Sequence, residues 1–595
     1  MTRITSTADS SPAASAQDSA AGSDTPASRS AGHLIVAQLE AEGVERIYCV
    51  PGESYLNVLD GLHDSAIRTI TCRQEAGAGF MALAEGRMTG RPGIAMVTRG
   101  PGAANVMIAA HTAYQDATPL VIFAGLIPTD HRGREAFQEF DLAGWFGTTV
   151  KKALILDDPD SAAAIVADAM HTAASGRPGP VIVGLPEDPQ LITTQAATVT
   201  PRPVPEVVPI AAQIASVAEA VAKARRPVLI VGGERWDEQS SRTVADWAAG
   251  LGMGIIADFR AYDGIDHDEP HYLGALGFGS APLTRKAFDE ADLHVYLGCQ
   301  RTDVSTNSYS IGCSPEHTIV ISPDPDLHAH FGPVDEQIIA TTRGFAQALT
   351  STGTATGPGT ATSTGTTRTD TATSTEATTA SGAGANLPDW VSETRQRFLD
   401  WRQVPAPTGD EDPAYVDMDT AFGEVRRLLP DDAIITYGAG NYSGWASRYL
   451  PVHSFPSVLG PRNGAMGFGM PAAVAAALVC PDRPVLAVAG DGCFLMNGQE
   501  FATAVAHNLN ITVIINDNSV YGTIVGHQER DYPGRPEGTG LKNPDFAAYA
   551  NAFGGAGFSV TRTEDFAGAF EAALNHPGPA LVHVRTDPAI RFTRS

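Results

Sequence analysis

Short β-rich apolar runs alternate with Ala-rich, helix-compatible stretches along most of the chain. This alternation restricts the fold more than any other feature. From residue 31 to 198 the runs are ERIYCV, RTITC, GIAMVT, LVIFAG and PVIVGL. From 207 to 348 they are PVLIVGG, GIIADF, LHVYLG and TIVISP, and from 405 to 592 AIITYG, PVLAVAG, ITVII and ALVHVR. Strands interleaved with helices form parallel sheets whose two faces are both covered. The pattern predicts an α/β fold of three doubly wound parallel-sheet domains spanning 31–198, 207–348 and 405–592. With 595 residues the chain is too long for a single core.

The breaks between these blocks have their own composition. TPRPVPEVVP at 200–209 is a Pro-rich break. Residues 351–388 are nearly all Thr, Ser, Gly and Ala, with almost no large apolar side chain to build a core. Such a coil of about 36 residues spans roughly 30–36 Å and joins domains without fixing their geometry. Residues 1–30, rich in Ser, Ala and Asp, are expected to be a disordered tail. A net charge of −27 argues against nucleic acid or an anionic membrane as partner. The six cysteines are scattered without a CxxC pair, and no apolar run is long enough to span a bilayer. No secretory leader is recognisable, so the chemistry is expected in a reducing cytoplasm.

The third block carries the most specific chemical signal. The strand VLAVA runs into Gly490-Asp491-Gly492, and the strand ITVII ends at Asn516-Asp517-Asn518. One βαβ unit therefore presents two oxygen-bearing side chains at the carboxyl ends of its strands, where such units bind ligands. A carboxylate and an amide suit a hard ion such as Mg²⁺ holding a diphosphate, with the glycines admitting backbone N–H groups to the phosphates. A lone Gly-Asp-Gly is ordinary turn chemistry. The step of 27 positions from Asp491 to Asn518 sets this one apart, because it holds a turn, a helix and a return strand. From these residues alone, a nucleotide-binding α/β protein is an alternative.

Gly-Asp-Gly, a spacer of this length and a terminal Asn resemble the signature of the thiamine diphosphate-dependent enzymes. That family has Asn-Asn where this chain has Asp517-Asn518. The resemblance implies Mg²⁺ held by Asp491, Asn518 and the backbone carbonyl of Val520. It implies cofactor contacts from Gly490, Gly492 and Cys493, from the loop Gly440-Asn441-Tyr442, and from Gly464 and Met466. The family's residue at the Met466 position wedges beneath the cofactor. The stretch from Cys72 to Gly125, with its Gly100-Pro101-Gly102 turn, resembles the first domain of the same family. The conserved acid there matches Glu75, which would hydrogen-bond the aminopyrimidine N1′ of the cofactor. Read by itself, Glu75 is an ordinary helix-start carboxylate. The resemblance makes the three domains aminopyrimidine-binding, middle and diphosphate-binding. It implies active sites shared between subunits of a homodimer or homotetramer.

Within the family the chain is most similar to the acetolactate synthase branch. Phe137, Gln138 and Lys151 match acceptor-pocket positions of that branch. The implied activity is decarboxylation of a small-molecule 2-oxo acid, pyruvate, and transfer of the two-carbon unit to a carbonyl acceptor. Three positions depart from the branch. His527 replaces a pocket tryptophan, Glu187 a lysine, and Leu276-Gly277-Phe278-Gly279 lacks the histidine of the flavin-binding pattern. FAD binding is therefore left open. A 2-oxo acid decarboxylase, a pyruvate oxidase-like enzyme, an aldehyde acyltransferase and a catalytically silent regulatory homologue are the alternatives. The acid that pyruvate decarboxylases carry six positions after the metal-binding Asn is Ile524 here, which favours carboligation over aldehyde release.

Overall fold

A computed structural model describes residues 28–594 apart from 234, 314–315, 328–329, 353–386, 408 and 410–411. It contains three six-stranded parallel sheets, one from each block of the alternating pattern. The first sheet uses Arg46–Cys49, Arg68–Thr71, Gly93–Val97, Leu120–Leu126, Lys152–Ile155 and Pro180–Pro186. Numbered along the chain, its strands lie in the order 2-1-3-4-6-5. The third sheet repeats that order with Ile434–Tyr437, Val458–Leu459, Val485–Gly490, Ile511–Asp517, Ala556–Val560 and Ala580–Arg585. The middle sheet, from Pro227–Val231 to Glu336–Ile339, has the order 3-2-1-4-5-6. In both orders the strand sequence reverses direction, and ligands bind in the crevice at that switch.

The inner strands are buried along their whole length, as in Leu120–Leu126 and Ile511–Asp517. Their Val- and Ile-rich composition fits a surface covered on both sides. The first and third domains share one apolar core. Helix Glu75–Thr89 packs on Gly469–Val479, and Phe80 meets Phe468 edge-on at 5.4 Å. Gly79 permits close approach to the helix Pro101–Asp116, since an added Cβ would lie 2.5 Å from the Ala109 methyl.

Several elements differ from the sequence reading. Arg29–Ser30, expected in the tail, pair antiparallel with Thr193–Thr194, and residues 1–27 lie outside the described residues. Most of the expected linker, 353–386, also lies outside them. A helix at Asp389–Trp401 follows it and belongs to the middle domain. Phe398 of this helix meets Tyr272 edge-on, and Arg395 donates to the carbonyls of Tyr272 and His267.

Candidate active site

The carboxyl ends of two neighbouring strands in the third sheet bring Asp491 and Asp517 together. Gly490 is level with Asn516 in the pairing register, so the next residues of each strand end side by side. Asn543 bridges them, its Nδ2 donating to Asp491 Oδ2 at 2.7 Å and to Asp517 Oδ1 at 2.8 Å. Asp491 Oδ1 accepts from the Gly492 N–H at 2.8 Å. Burial pushes the Asp491 carboxyl up, against these donors. Burial also acts on Asp517, but His583 and Asn543 outweigh it and hold that carboxyl below its ordinary range. His583 Nε2 lies 2.9 Å from Asp517 Oδ2. The Asp that replaces an Asn is thus held from behind by a histidine. Asn518, just past the strand end, accepts from the Val520 N–H at 3.2 Å.

Two further segments close on this pair. Asn441 lies against Thr523, whose Oγ1 donates to Asn441 Oδ1 at 3.0 Å, while Asn441 Nδ2 is buried with no hydrogen-bond partner. Tyr442 is buried between Gly440 and Gly490, where an added Cβ would lie 2.6 and 2.7 Å from its ring. Its hydroxyl donates to Cys493 Sγ at 3.0 Å, and that sulfur also accepts from the Gly467 N–H at 3.2 Å. Tyr442 and Cys493 therefore tie three segments together from within the core. Gly464 has φ +73° and open space where a Cβ would be, and Met466 beside it is half-buried.

Glu75 is the first residue of helix Glu75–Thr89 and is half-buried. Gln74 caps this helix by accepting from the Ala76 and Gly77 N–H groups. Asn105 Nδ2 donates to Glu75 Oε2 at 2.9 Å. The fully buried Glu500 of the third domain accepts from the Arg73 and Gln74 N–H groups at 2.9 and 3.0 Å. Phe137 and Gln138 belong to a loop that lies against the turn next to Glu75. A Cβ on Gly100 would sit 2.8 Å from the Gln138 carbonyl, and one on Gly102 3.4 Å from Glu75 Oε1. Phe137 is 75% exposed.

Lys151 and His527 are placed differently. Lys151 precedes the strand Lys152–Ile155, at the amino edge of the first sheet, whereas Glu75 lies at its carboxyl edge. Its ammonium donates to the carbonyls of Thr172 and Ser175 at 2.6 and 2.5 Å, and burial, with Arg177 nearby, brings its pKa down to about 8. His527 is exposed on the helix Gly522–Asp531 that follows Asn518. Glu187 pairs with Arg99, which also meets Glu53 at the carboxyl edge of the first sheet.

Asn543, Asn105, His583 and Glu500 were not legible as site residues. Asn543 and His583 lie outside the βαβ unit that carries the Gly-Asp-Gly. Glu500 carried one signal, a carboxylate beside the apolar run FATAVA. A separate cleft opens between the first and middle domains at the switch of the middle sheet. Its walls include Arg177, Arg235, Phe259 and Gln300, with Arg462 reaching in from the third domain. Phe278, 76% exposed, stands edge-on to Phe259.

Three models of thiamine pyrophosphate enzymes match the chain. The N-terminal TPP binding domain matches residues 29–145, the central domain 214–349, and the C-terminal TPP binding domain 438–584. The chain belongs to the thiamine pyrophosphate enzymes. Its relatives within them include the acetolactate synthase isozyme 2 large subunit of Escherichia coli K12, 29% identical over 93% of this chain and 95% of that one. The acetolactate synthase large subunit of Parasynechococcus marenigrum is 28% identical over 94% and 88%. The fold is shared with a thiamine diphosphate-dependent 4-hydroxybenzoylformate decarboxylase of Rhodococcus jostii RHA1, with a TM-score of 0.75 at 22% identity over 94% of this chain and 99% of that one. This thiamine pyrophosphate enzyme is acetolactate synthase-like, and its three sheets correspond to the three expected domains. Among the described residues no helix is long and apolar enough to cross a membrane.

Proposed function

We propose that the protein decarboxylates pyruvate and transfers the two-carbon unit to a second 2-oxo acid, as an acetolactate synthase does. The observation that carries this reading is the strand-end pair of Asp491 and Asp517, followed at once by Asn518, together with the buried, unpartnered amide of Asn441 on the loop that Thr523 holds. These residues fit a metal-bound diphosphate. The Asp491 carboxylate, the Asn518 amide oxygen and the Val520 carbonyl would hold Mg²⁺, a set of hard oxygen donors. The Asn441 amide would donate to the diphosphate. Thiamine diphosphate, when bound, supplies the electron sink for loss of CO₂. Glu75 would hydrogen-bond the aminopyrimidine; Asn105 occupies Oε2, so Oε1 beside Gly102 is the oxygen left for it.

Self-association completes the site in this reading. Phe137, Leu495, Met496, Ile524 and Tyr532 are large apolar side chains left exposed on the single chain, and they supply a surface for a second copy. Phe137 and Gln138 then border the acceptor pocket, and the apolar Ile524 keeps a proton donor away from it. Lys151 serves the helix end it caps. The arginine-lined cleft suits the pyrophosphate of FAD, with Phe278 offering an aromatic face in place of the missing histidine. Flavin absorbance in the purified protein tests that assignment.

The deciding experiment is product analysis with pyruvate, thiamine diphosphate and Mg²⁺. The expected result is two pyruvates consumed per CO₂, with acetolactate formed. One pyruvate per CO₂ with free acetaldehyde would replace this reading with a decarboxylase. E75Q should retain thiamine diphosphate binding and lose turnover by orders of magnitude; unaltered turnover would remove Glu75 from its role.

A further inference from the structure

A six-residue segment of the middle domain grips two parts of the cofactor site that belong to the third domain. The segment is Asp258–Asp263, which leaves the strand Gly254–Ala257 at its carboxyl end. Arg260 at its centre is 4% exposed and adopts φ +59°, the left-handed region that non-glycine residues rarely occupy. Its Nη1 donates to the Gly438 carbonyl at 2.7 Å. Its guanidinium also lies over the Tyr437 ring, 4.9 Å from the centroid. Tyr437 ends a strand, and Gly438 opens the loop that carries Gly440, Asn441 and Tyr442.

Gly438 is held from the other side as well. A Cβ there would lie 2.4 Å from Cys493 Sγ and 3.0 Å from the Tyr442 hydroxyl. The start of the loop is thus clamped between Arg260 and the Tyr442–Cys493 pair. The rest of the segment grips the second cofactor-facing stretch. Asp263 Oδ2 accepts from the Ser457 and Val458 N–H groups at 3.0 and 3.1 Å. Asp258 forms an ion pair with Arg462, just ahead of Gly464 and Met466. The first domain braces this arrangement, since Arg87 Nη2 donates to the Arg260 carbonyl at 3.0 Å.

We propose that Arg260 is a positioning residue for the diphosphate loop. The middle domain thereby sets the conformation of a loop that belongs to the third domain. A charge-assisted hydrogen bond to a buried carbonyl fixes where that peptide lies, and Asn441 follows three residues later. The inference rests on the reading that residues 438–442 hold the diphosphate.

The test is titration calorimetry of thiamine diphosphate with Mg²⁺ on the full chain. R260Q should weaken binding about 10- to 100-fold, and R260K should recover part of the loss by restoring a charged donor. R395Q is the comparison, because Arg395 is also a buried middle-domain arginine bonded to carbonyls, those of Tyr272 and His267. It should leave the affinity at the wild-type value. Wild-type affinity in R260Q, or an equal loss in R395Q, would overturn the proposal. Should R260Q fail to fold, R260K decides, with several-fold weaker binding expected and unaltered binding overturning. Failure of the wild-type chain to bind thiamine diphosphate would instead remove the site assignment itself.

Discussion

Removing the Glu500 side chain should loosen the start of the Glu75 helix from the opposite domain. Glu500 is fully buried and makes three hydrogen bonds. Its Oε1 accepts from the backbone N–H groups of Arg73 and Gln74, and its Oε2 accepts from Thr503 Oγ1 at 2.6 Å. In E500A two backbone donors lose their acceptor, at about 1–3 kcal/mol each. The total of roughly 2–6 kcal/mol corresponds to at least a thirty-fold rise in local opening, since 1.4 kcal/mol is about tenfold. E500Q keeps an oxygen that can accept from both N–H groups, and its amide can donate to Thr503, so it should cost only about 1 kcal/mol. The readouts are amide hydrogen exchange at Arg73 and Gln74 and turnover of pyruvate. E500A should exchange at least thirty-fold faster there and turn over slowly, with E500Q close to wild type. Wild-type protection in E500A would refute the reasoning. Equal damage in E500Q would show that the negative charge, not the acceptor geometry, is what matters.

D491A should abolish Mg²⁺-dependent binding of thiamine diphosphate, and unchanged affinity in calorimetry would sink the metal-site assignment. Mixing D491A chains with E75Q chains should restore part of the turnover, because one site of a mixed dimer has both residues; no recovery after subunit exchange would argue against shared sites. Burial raises the Asp116 carboxyl to about 6, although Arg462 and Arg87 oppose the rise. A raised carboxyl favours folding while protonated. This contribution is complete below about pH 4 and is lost as the pH passes 6, amounting to about 3 kcal/mol. D116N removes the titration, so thermal melts should show the wild type losing stability relative to D116N between pH 4 and 7; a constant difference would contradict the burial argument.

The sequence by itself determined the three-sheet architecture and the residues with fixed spacing. Apolar runs buried on both faces leave an unambiguous signal, which is why the inner strands of all three sheets were legible. The strands that went unrecognised among the described residues are edge strands, such as Lys152–Ile155, Glu336–Ile339 and Ala556–Val560. They are covered on fewer sides, so their composition is mixed. Asp491 and Asn518 could be paired from their spacing because one βαβ unit carries both. Tertiary structure decided the rest. Asn543, His583, Glu500 and Arg260 act on the site from other elements or domains, and their partners lie 26 to 427 positions away along the chain. It also turned Lys151 toward a helix end and Tyr442 into the core. Local pattern records which face of an element is buried, whereas a contact between distant segments depends on how the sheets dock.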